Sequence, residues 1–478
     1  MSTLSKSATA GVFWSFVDSA GTRAARFVLN VLLARLLLPE QFGLIGAVTI
    51  FVSTATMLAE SGVGSALVQK QNPRAEEIRA LFFVNLLFGV ALSLLLCLCS
   101  PLVASLYQAP ELREMTPWMA FVVFLSSVSF VPAALMEREL SFRPLAVASL
   151  LAVLLSGGLG LALAFCGYGV WALVWQQVAG TGIRTLMVVA LCPDRGRFLR
   201  GEVRLKAVKG YMRYSGHMLF AGGLNSIFEN AYGLVVGRLF GLDSLGLYFR
   251  AKAMYELPSQ VLSRVAIRVM FPLHSRLQDD VEALRESVGG ALRSLCFVSF
   301  PMTIGLIVVA EPLVVLLLTE KWGGMVIFLQ LFCLAGALYP FHLVNLNVLK
   351  ALGRSDLFLR IEIAKKVLSA LALSITWMFG IEAIIWGQIS VSVLSLFVNA
   401  HYAKTLLGYS LSVQFAETLP SGLVSLIMGL SLVLLKGQLD IDHVITVPVL
   451  VAAGGTIYIG LAAALRLKAF VELLSSCR

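Results

Sequence analysis

The chain has 478 residues, of which 58% are hydrophobic and 13% are charged. A soluble domain carries about 25% charged residues, so this composition excludes a soluble globular protein and indicates an integral membrane protein. The longest polar gap, from Pro193 to Gly210, is too short to fold as a separate soluble catalytic domain.

The first apolar run, from Thr9 to Leu44, is long enough to cross a bilayer but carries charges in its interior. On a helix with about 100° per residue, Arg23, Arg26 and Asn30 share an arc of about 100°, and Asp18 lies about 40° outside it. A charge that faces lipid at mid-helix costs at least about 2.5 kcal/mol. We therefore expect this polar stripe to line a wet transport path. The run is too long for a cleaved signal peptide, so we expect it to stay in the membrane.

Apolar segments recur along the whole chain, and a spanning helix needs about 20 mainly apolar residues. The pattern predicts an all-α integral membrane protein with about 14 transmembrane helices. They lie at 10–33, 43–66, 79–100, 116–136, 145–166, 170–192, 211–236, 246–270, 289–310, 327–348, 361–379, 381–402, 417–435 and 445–465. Glycines in the short connections around Gly169 and Gly380 predict two tight helical hairpins.

Basic residues are distributed unevenly between the gaps on the two sides of the membrane. With the N-terminus inside, the inner gaps and tails hold 23 Lys and Arg residues and the outer gaps hold 5. Cytoplasmic loops carry such an excess, so the bias predicts a multi-pass protein of the cytoplasmic (inner) membrane with both termini cytoplasmic. It also accounts for the net charge of +10 without a nucleic-acid partner.

An internal repeat connects the two halves of the chain. ARLLLPEQFGL, starting at Ala34, aligns with GRLFGLDSLGL, starting at Gly237, at an offset of 203. GVWALVWQQ, starting at Gly169, aligns with GIEAIIWGQ, starting at Gly380, at an offset of 211. Six predicted helices separate the copies, and because this number is even, both copies have the same membrane orientation.

The repeat predicts two parallel six-helix bundles around a central cavity, an architecture that places the substrate between the halves. The predicted regions are an N-terminal bundle at 1–192, a basic cytoplasmic linker at 193–210 and a C-terminal bundle at 211–405. Residues 406–478 add two further helices and a cytoplasmic tail.

No cofactor or metal site is indicated. The seven cysteines are scattered, without a CxxC motif or a Cys/His cluster, and no GxxxxGK[ST] phosphate loop occurs. We therefore expect a transporter driven by an ion gradient or by removal of its product.

Two segments resemble a known family. Leu135–Ala146, LMERELSFRPLA, resembles the colanic-acid-exporter-like, Wzx-type branch of the oligosaccharide flippases in the polysaccharide transporter family. Ala34–Gln69 resembles the signature of that family as a whole, with matches at Ala34, Arg35, Pro39, Phe42, Gly43, Leu58, Gly62, Ala66 and Gln69. The resemblance covers roughly residues 1–410 and is looser in the second half.

The resemblance implies membership of the superfamily that also contains multidrug extruders and the lipid II flippase. It implies alternating access, with a cargo of oligosaccharide units linked to undecaprenyl pyrophosphate, for export of exopolysaccharide or O-antigen-type polysaccharide. The implied partners are this lipid-linked substrate, membrane lipids, either H⁺ or Na⁺, and a polysaccharide polymerase.

Such an anionic cargo requires fixed cations in a wet cavity, and arginine binds phosphate oxygens in a bidentate fork. The candidate cations are Arg23, Arg26, Arg250 and Lys252. For Arg23 and Arg26 the alternative is a structural salt bridge with Asp18 or Glu60.

The candidate acids for coupling or ion pairing are Asp18, Glu60, Glu229 and Glu256, and the candidate polar cavity residues are Asn30, Asn225 and Gln260. Pro258 is expected to kink its helix. Arg293 is interpreted as a snorkelling residue at a helix end. His342, Asn345 and Asn347 are further polar candidates on the tenth predicted span.

Two other functions compete with flipping. A multidrug/cation antiporter of the same superfamily prefers an acidic or apolar cavity, which Arg23 and Arg26 argue against. A membrane polysaccharide polymerase or glycosyltransferase needs sizeable outer loops, and the outer gaps here are short. We therefore expect a transporter and not an enzyme.

Overall fold

The protein is described by a computed structural model that covers residues 14, 20–60, 74–193, 195–199, 209–439 and 442–476. Throughout these residues the regular secondary structure is helical. The chain divides into two compact units, Met1–Gly246 and Leu247–Arg478. The predicted division into two six-helix bundles, a linker and two added helices remains a prediction.

The first unit contains nine helices within the described residues and the start of a tenth. They are α1 Thr22–Leu36, α2 Pro39–Glu60, α3 Ala75–Leu98, α4 Ser100–Tyr107, α5 Glu111–Arg138, α6 Phe142–Phe165, α7 Val170–Leu191, α8 Arg195–Leu199, α9 Lys209–Phe240 and α10 Leu242–Arg276.

Helix α10 continues into the second unit, where eight more α-helices follow in the described residues. They are α11 Val281–Leu318, α12 Val326–Gly336, α13 Tyr339–Ala351, α14 Ser355–Thr376, α15 Ile381–Leu407, α16 Leu411–Gln438, α17 His443–Ala464 and α18 Lys468–Ser476. Short 3₁₀ helices, Glu320–Met325 and Trp377–Phe379, precede α12 and α15.

Nine helical segments in the described part of the chain are long and apolar enough to cross a membrane. They are α2, α3, α5, α6, α11, α15, α16, α17 and the segment Glu320–Ala351, which includes α12 and α13. This confirms the prediction of an all-helical, multi-span membrane protein. The other long helices, among them α9, α10 and α14, coincide with predicted spans but carry more polar residues.

The two predicted hairpins are confirmed. Helix α6 ends at Phe165 and α7 begins at Val170, and the connection contains Gly169 with a positive φ of 56°. Gly380 has a φ of 102° immediately before α15. Glycine adopts this backbone region without the steric cost that a Cβ imposes, so the chain reverses within a few residues.

The repeated sequence motif forms a reciprocal contact inside the first unit. A Cβ on Gly43 would overlap the carbonyl oxygen of Leu242, and a Cβ on Gly246 would overlap the carbonyl oxygen of Pro39. Gly246 and Gly43 differ by 203 positions, as do Leu242 and Pro39. The first turns of α2 and α10 therefore pack backbone against backbone through equivalent residues, which explains why both copies of the motif carry glycine.

A buried ion cluster fixes the C-terminal helices to α11 in the second unit. Arg293 is only 7% exposed. Its Nη1 donates to Glu417 Oε2 at 2.9 Å, and its Nη2 donates to Glu472 Oε1 at 2.7 Å. Tyr409 Oη donates to the same Glu417 oxygen at 2.8 Å. The interpretation of Arg293 as a snorkelling residue is therefore wrong, because its guanidinium is held inside by two carboxylates.

The reciprocal glycine contact predicts a specific loss of stability. Gly43→Ala or Gly246→Ala should destabilise the protein by about 1–3 kcal/mol, because the added methyl group must displace backbone. Gly158→Ala on α6 is the matched control, since a methyl group added there would meet no atom within 4 Å. Thermal unfolding of the detergent-solubilised variants measures the difference. Equal melting temperatures for Gly43→Ala and Gly158→Ala would contradict the packing role.

Candidate functional site

Helix α1 carries three of the predicted site residues on one side. Arg23 and Asn30 are half-buried and Arg26 is exposed. The i, i+3 and i+7 spacing places all three on one helix face. The coupling candidate Asp18 lies outside the described residues.

Apart from Thr22 in the first turn and the exposed Arg35 in the last turn, the other residues of α1 are apolar. Leu33 is fully buried, and Leu29 packs against Gly157 of α6. Val28 is 55% exposed and Leu32 is 41% exposed, on the side of the helix opposite to the arginines. The helix therefore has two accessible faces of different chemistry. In a membrane, the apolar face suits lipid, and the arginine face requires water or protein.

Helices α2 and α9 are joined by a polar seam inside the first unit. Thr54 Oγ1 and Ser226 Oγ share a hydrogen bond at 3.0 Å. Asn230 Nδ2 donates to Thr54 Oγ1 at 3.3 Å and to Ser53 Oγ at 3.4 Å. The sequence analysis misses Thr54 and Asn230, since their partners lie more than 170 positions away in the chain.

Two predicted site residues lie on the neighbouring face of α9. Asn225 Nδ2 donates to Glu229 Oε1 at 2.6 Å, one turn along the same helix. Glu229 is exposed and Asn225 is half-buried. Because a carboxylate is costly in hydrocarbon, this face of α9 requires contact with water. Glu60, another of the predicted acids, is the exposed last residue of α2.

The predicted site residues of the second unit lie on α10. The Arg250 guanidinium carbon lies 5.9 Å from the centre of the Trp322 ring, within range of a cation–π interaction. Lys252 Nζ lies 3.9 Å from Glu256 Oε1, and the two side chains are 35% and 40% exposed. Such an exposed pair contributes about 0–1 kcal/mol and leaves both groups able to exchange partners. The side chain of Gln260 lies outside the described part of the structure.

An apolar cavity of about 380 Å³ lies between α2, α3 and α9 in the first unit. Its walls include Phe51, Leu58, Leu95 and Ile227, and its polar lining residues are Thr54 and Asn230 of the seam. Apolar walls cannot bind a diphosphate, so this cavity is separate in chemistry from the arginine face. The sequence does not predict it, because its lining residues are indistinguishable from those of an ordinary span.

Comparison with protein families shows to which family the chain belongs. Residues 32–327 match the model of the family described as "Polysaccharide biosynthesis protein". The chain belongs to this family. Its relatives include the succinoglycan biosynthesis transport protein ExoT of Rhizobium meliloti, which is 27% identical over 417 residues, 87% of this chain and 82% of ExoT. The lipopolysaccharide biosynthesis protein WzxC of Escherichia coli is 27% identical over 452 residues, 90% of this chain and 88% of WzxC.

The fold is shared with a solved flippase. The lipid II flippase MurJ, in an inward closed conformation, superimposes with a TM-score of 0.76 at 13% sequence identity, covering 95% of this chain and 98% of MurJ. The family match and these relatives confirm the resemblance to the Wzx-type family, and MurJ shows that a solved flippase has the same fold. They also confirm that the chain is a membrane protein of polysaccharide biosynthesis, and that its relatives are transporters and not enzymes.

The two exposed faces of α9 predict different access to water. In a variant without its native cysteines, a cysteine at Glu229 should react with a charged, water-soluble thiol reagent, because this face requires water. A cysteine at Ile227, which is 60% exposed but apolar in its surroundings, should react at least tenfold more slowly. Labelling rates in intact membranes measure this contrast. Equal rates at both positions would refute a wet face on α9.

Proposed function

We propose that the protein flips undecaprenyl-pyrophosphate-linked oligosaccharide repeat units across the cytoplasmic membrane by alternating access. The observation that carries this proposal is the arginine face of α1, opposite to a face suited to lipid. It is supported by membership of a polysaccharide biosynthesis family and by a flippase fold.

The chemistry of the cargo explains the type of residue. A diphosphate is anionic, and the attached sugars need a hydrated volume. Arg23 and Arg26 remain charged at any physiological pH and offer planar forks of donors to phosphate oxygens. Arg250 and Lys252 on α10 supply further cations, and the weak pairing of Lys252 with Glu256 permits exchange for a substrate phosphate.

We further propose that fourteen helices cross the membrane, with both termini cytoplasmic, as two parallel bundles around a central cavity. The excess of Lys and Arg in the inner gaps supports the orientation. The reciprocal contact of Gly43 and Gly246 supports the parallel repeat, because a self-complementary contact is the mark of a twofold relation.

The transporter uses H⁺ or Na⁺ and delivers its product to a polysaccharide polymerase. An assembled repeat unit that crosses the membrane contributes to a polymer only if a polymerising reaction consumes it on the other side of the membrane. The names of ExoT and WzxC connect those proteins with succinoglycan and lipopolysaccharide synthesis. For this chain, either kind of polymer fits the proposed cargo.

Reconstitution tests the function directly. Proteoliposomes containing a fluorescent diphospholipid oligosaccharide should move it between leaflets, measured as the fraction accessible to an impermeant quencher. The same vesicles should not export a cationic dye. Retention of the lipid in its original leaflet together with dye export would identify a multidrug/cation antiporter instead.

Substitutions on α1 test the mechanism. Arg23→Ala and Arg26→Ala should each reduce flipping about tenfold or more, since a hydrogen bond to a charged group is worth about 1.5–3 kcal/mol. Arg→Lys at either position should recover part of the loss, because lysine keeps the charge but not the fork. Lys404→Ala, at an exposed site near the end of α15, is the control and should be mild. Unfolding of the Arg variants at lower temperature would instead indicate structural salt bridges.

A further inference from the structure

A histidine connects α13 with α15 in the second unit. His342 Nε2 lies 2.9 Å from Ser392 Oγ, and His342 Nδ1 lies 2.9 Å from Asn399 Nδ2. The histidine and the serine are half-buried, and Asn399 is 1% exposed. The segment Glu320–Ala351, which contains His342, is apolar enough to span the membrane. The imidazole is therefore a titratable group at membrane depth.

The hydrogen-bond geometry defines the protonation state. An amide nitrogen only donates, so His342 Nδ1 must accept the hydrogen bond from Asn399. The proton of the neutral ring then resides on Nε2, which donates to the Ser392 hydroxyl oxygen. This arrangement corresponds to a neutral imidazole.

The same arrangement leaves polar atoms without partners. Asn399 Oδ1 and Ser395 Oγ are buried and have no hydrogen-bond partner among the described residues. Other buried polar groups in this region do find hydrogen-bond partners, since Asn345 and Gln414 form two reciprocal amide hydrogen bonds at 3.0 Å. Asn347 Oδ1 and Asn85 Oδ1 also have no partner among the described residues, but of these three amides Asn399 is the one that contacts an imidazole.

Rotation of the Asn399 amide by half a turn produces a second state. A proton from water binds His342 Nδ1, and the resulting N–H donates to Asn399 Oδ1, while Nε2–H continues to donate to Ser392. No covalent bond within the protein breaks, and the site gains one positive charge. The Asn399 Nδ2 amino group then occupies the position that Oδ1 held before, where no hydrogen-bond partner lies among the described residues. Because the new hydrogen bond is charge-assisted, it offsets part of the cost of burying the imidazolium.

The surroundings contain an ion pair on α14. Lys365 acts electrostatically on His342, and Lys365 Nζ donates to Glu362 Oε1 at 3.1 Å. The Glu362 carboxylate offsets part of the repulsion that the Lys365 ammonium exerts on a protonated His342.

The other helices packed against α13 carry few charges near this level. Helix α11 has none between Arg293 and Glu311, and α15 has only the exposed His401 between Glu382 and Lys404. Helix α13 itself is uncharged before Lys350, and α14 carries Asp356, Arg360 and Lys366 in addition to the Lys365–Glu362 pair.

We propose that His342, with Ser392 and Asn399, is a proton-binding site that couples transport to the proton gradient. This inference rests on the proposed transport function and selects H⁺ over Na⁺ for the coupling ion. Rotation of the Asn399 amide changes the hydrogen bonding between α13 and α15, and this is how the protonation state of His342 acts on the packing of the two helices.

Flipping in proteoliposomes should depend on pH through this residue. Wild-type activity should change roughly tenfold across the pH range over which His342 binds its proton. A pH-sensitive dye inside the vesicles should report proton movement when lipid-linked substrate is added. His342→Gln should lose both the pH dependence and the proton movement, because an amide does not titrate in this range. His401→Gln, on an exposed residue of α15, should retain both.

A spectroscopic measurement is independent of transport. In the protein labelled with ¹⁵N-histidine, five imidazoles contribute signals, and the signal absent from His342→Gln belongs to His342. This signal should change between those of neutral and protonated imidazole over the same pH range. In Asn399→Asp it should remain that of the imidazolium, because a carboxylate replaces the amide beside Nδ1.

The outcomes separate the coupling site from the proposed function. If His342→Gln flips the substrate with unchanged pH dependence, or the His342 signal does not titrate, the proton site is refuted while the flippase stands. If His342→Gln does not fold, Asn399→Asp decides, and wild-type pH dependence in that variant would overturn the proposal. If the wild type flips no lipid-linked sugar although His342 titrates, the proposed function fails and the proton site does not.

Discussion

The cost of placing charges and unsatisfied backbone in hydrocarbon governs this protein. In lipid every backbone polar group needs an internal partner, which the helices of the described chain provide. Apolar helices such as α3 and α17 also present side chains suited to lipid over most of their exposed length. Helices α1, α9 and α10 do not, because each carries charged or amide groups that are accessible in the fold. A membrane protein with such helices must hold water or protein beside each of them.

Close approach of backbones is the second constraint. Equivalent glycines in the two copies of the repeat allow the first turns of α2 and α10 to meet through their carbonyl groups. Further along α2, hydroxyl and amide groups join it to α9. Small residues and interhelical hydrogen bonds are the means by which helices associate in lipid, where the hydrophobic effect gives little driving force. The seam therefore positions the Asn225–Glu229 face of α9.

Two polar networks inside the second unit differ in their degree of satisfaction. Arg293 donates to two carboxylates, one of which also accepts from Tyr409, and this cluster holds α11, α16 and α18 together. Removal of one partner from such a cluster leaves an uncompensated charge, so its role is structural. The His342 network instead contains an unpartnered acceptor beside a titratable ring. The proposed proton coupling rests on this second arrangement and not on the Arg293 cluster.

The sequence by itself determined the class of protein, the positions of the helices, the two glycine hairpins and the family, because hydrophobic period, turn chemistry and local motifs act over short separations. It also identified Arg23, Arg26, Asn225 and Glu229 as polar residues on faces that lipid would reject. Only the tertiary structure decided which distant residues meet. The pairing of Asn230 with Thr54, the ion cluster of Arg293 and the bonding of His342 with Asn399 join separate helices. Such contacts depend on helix packing and rotation, which no single stretch of sequence encodes.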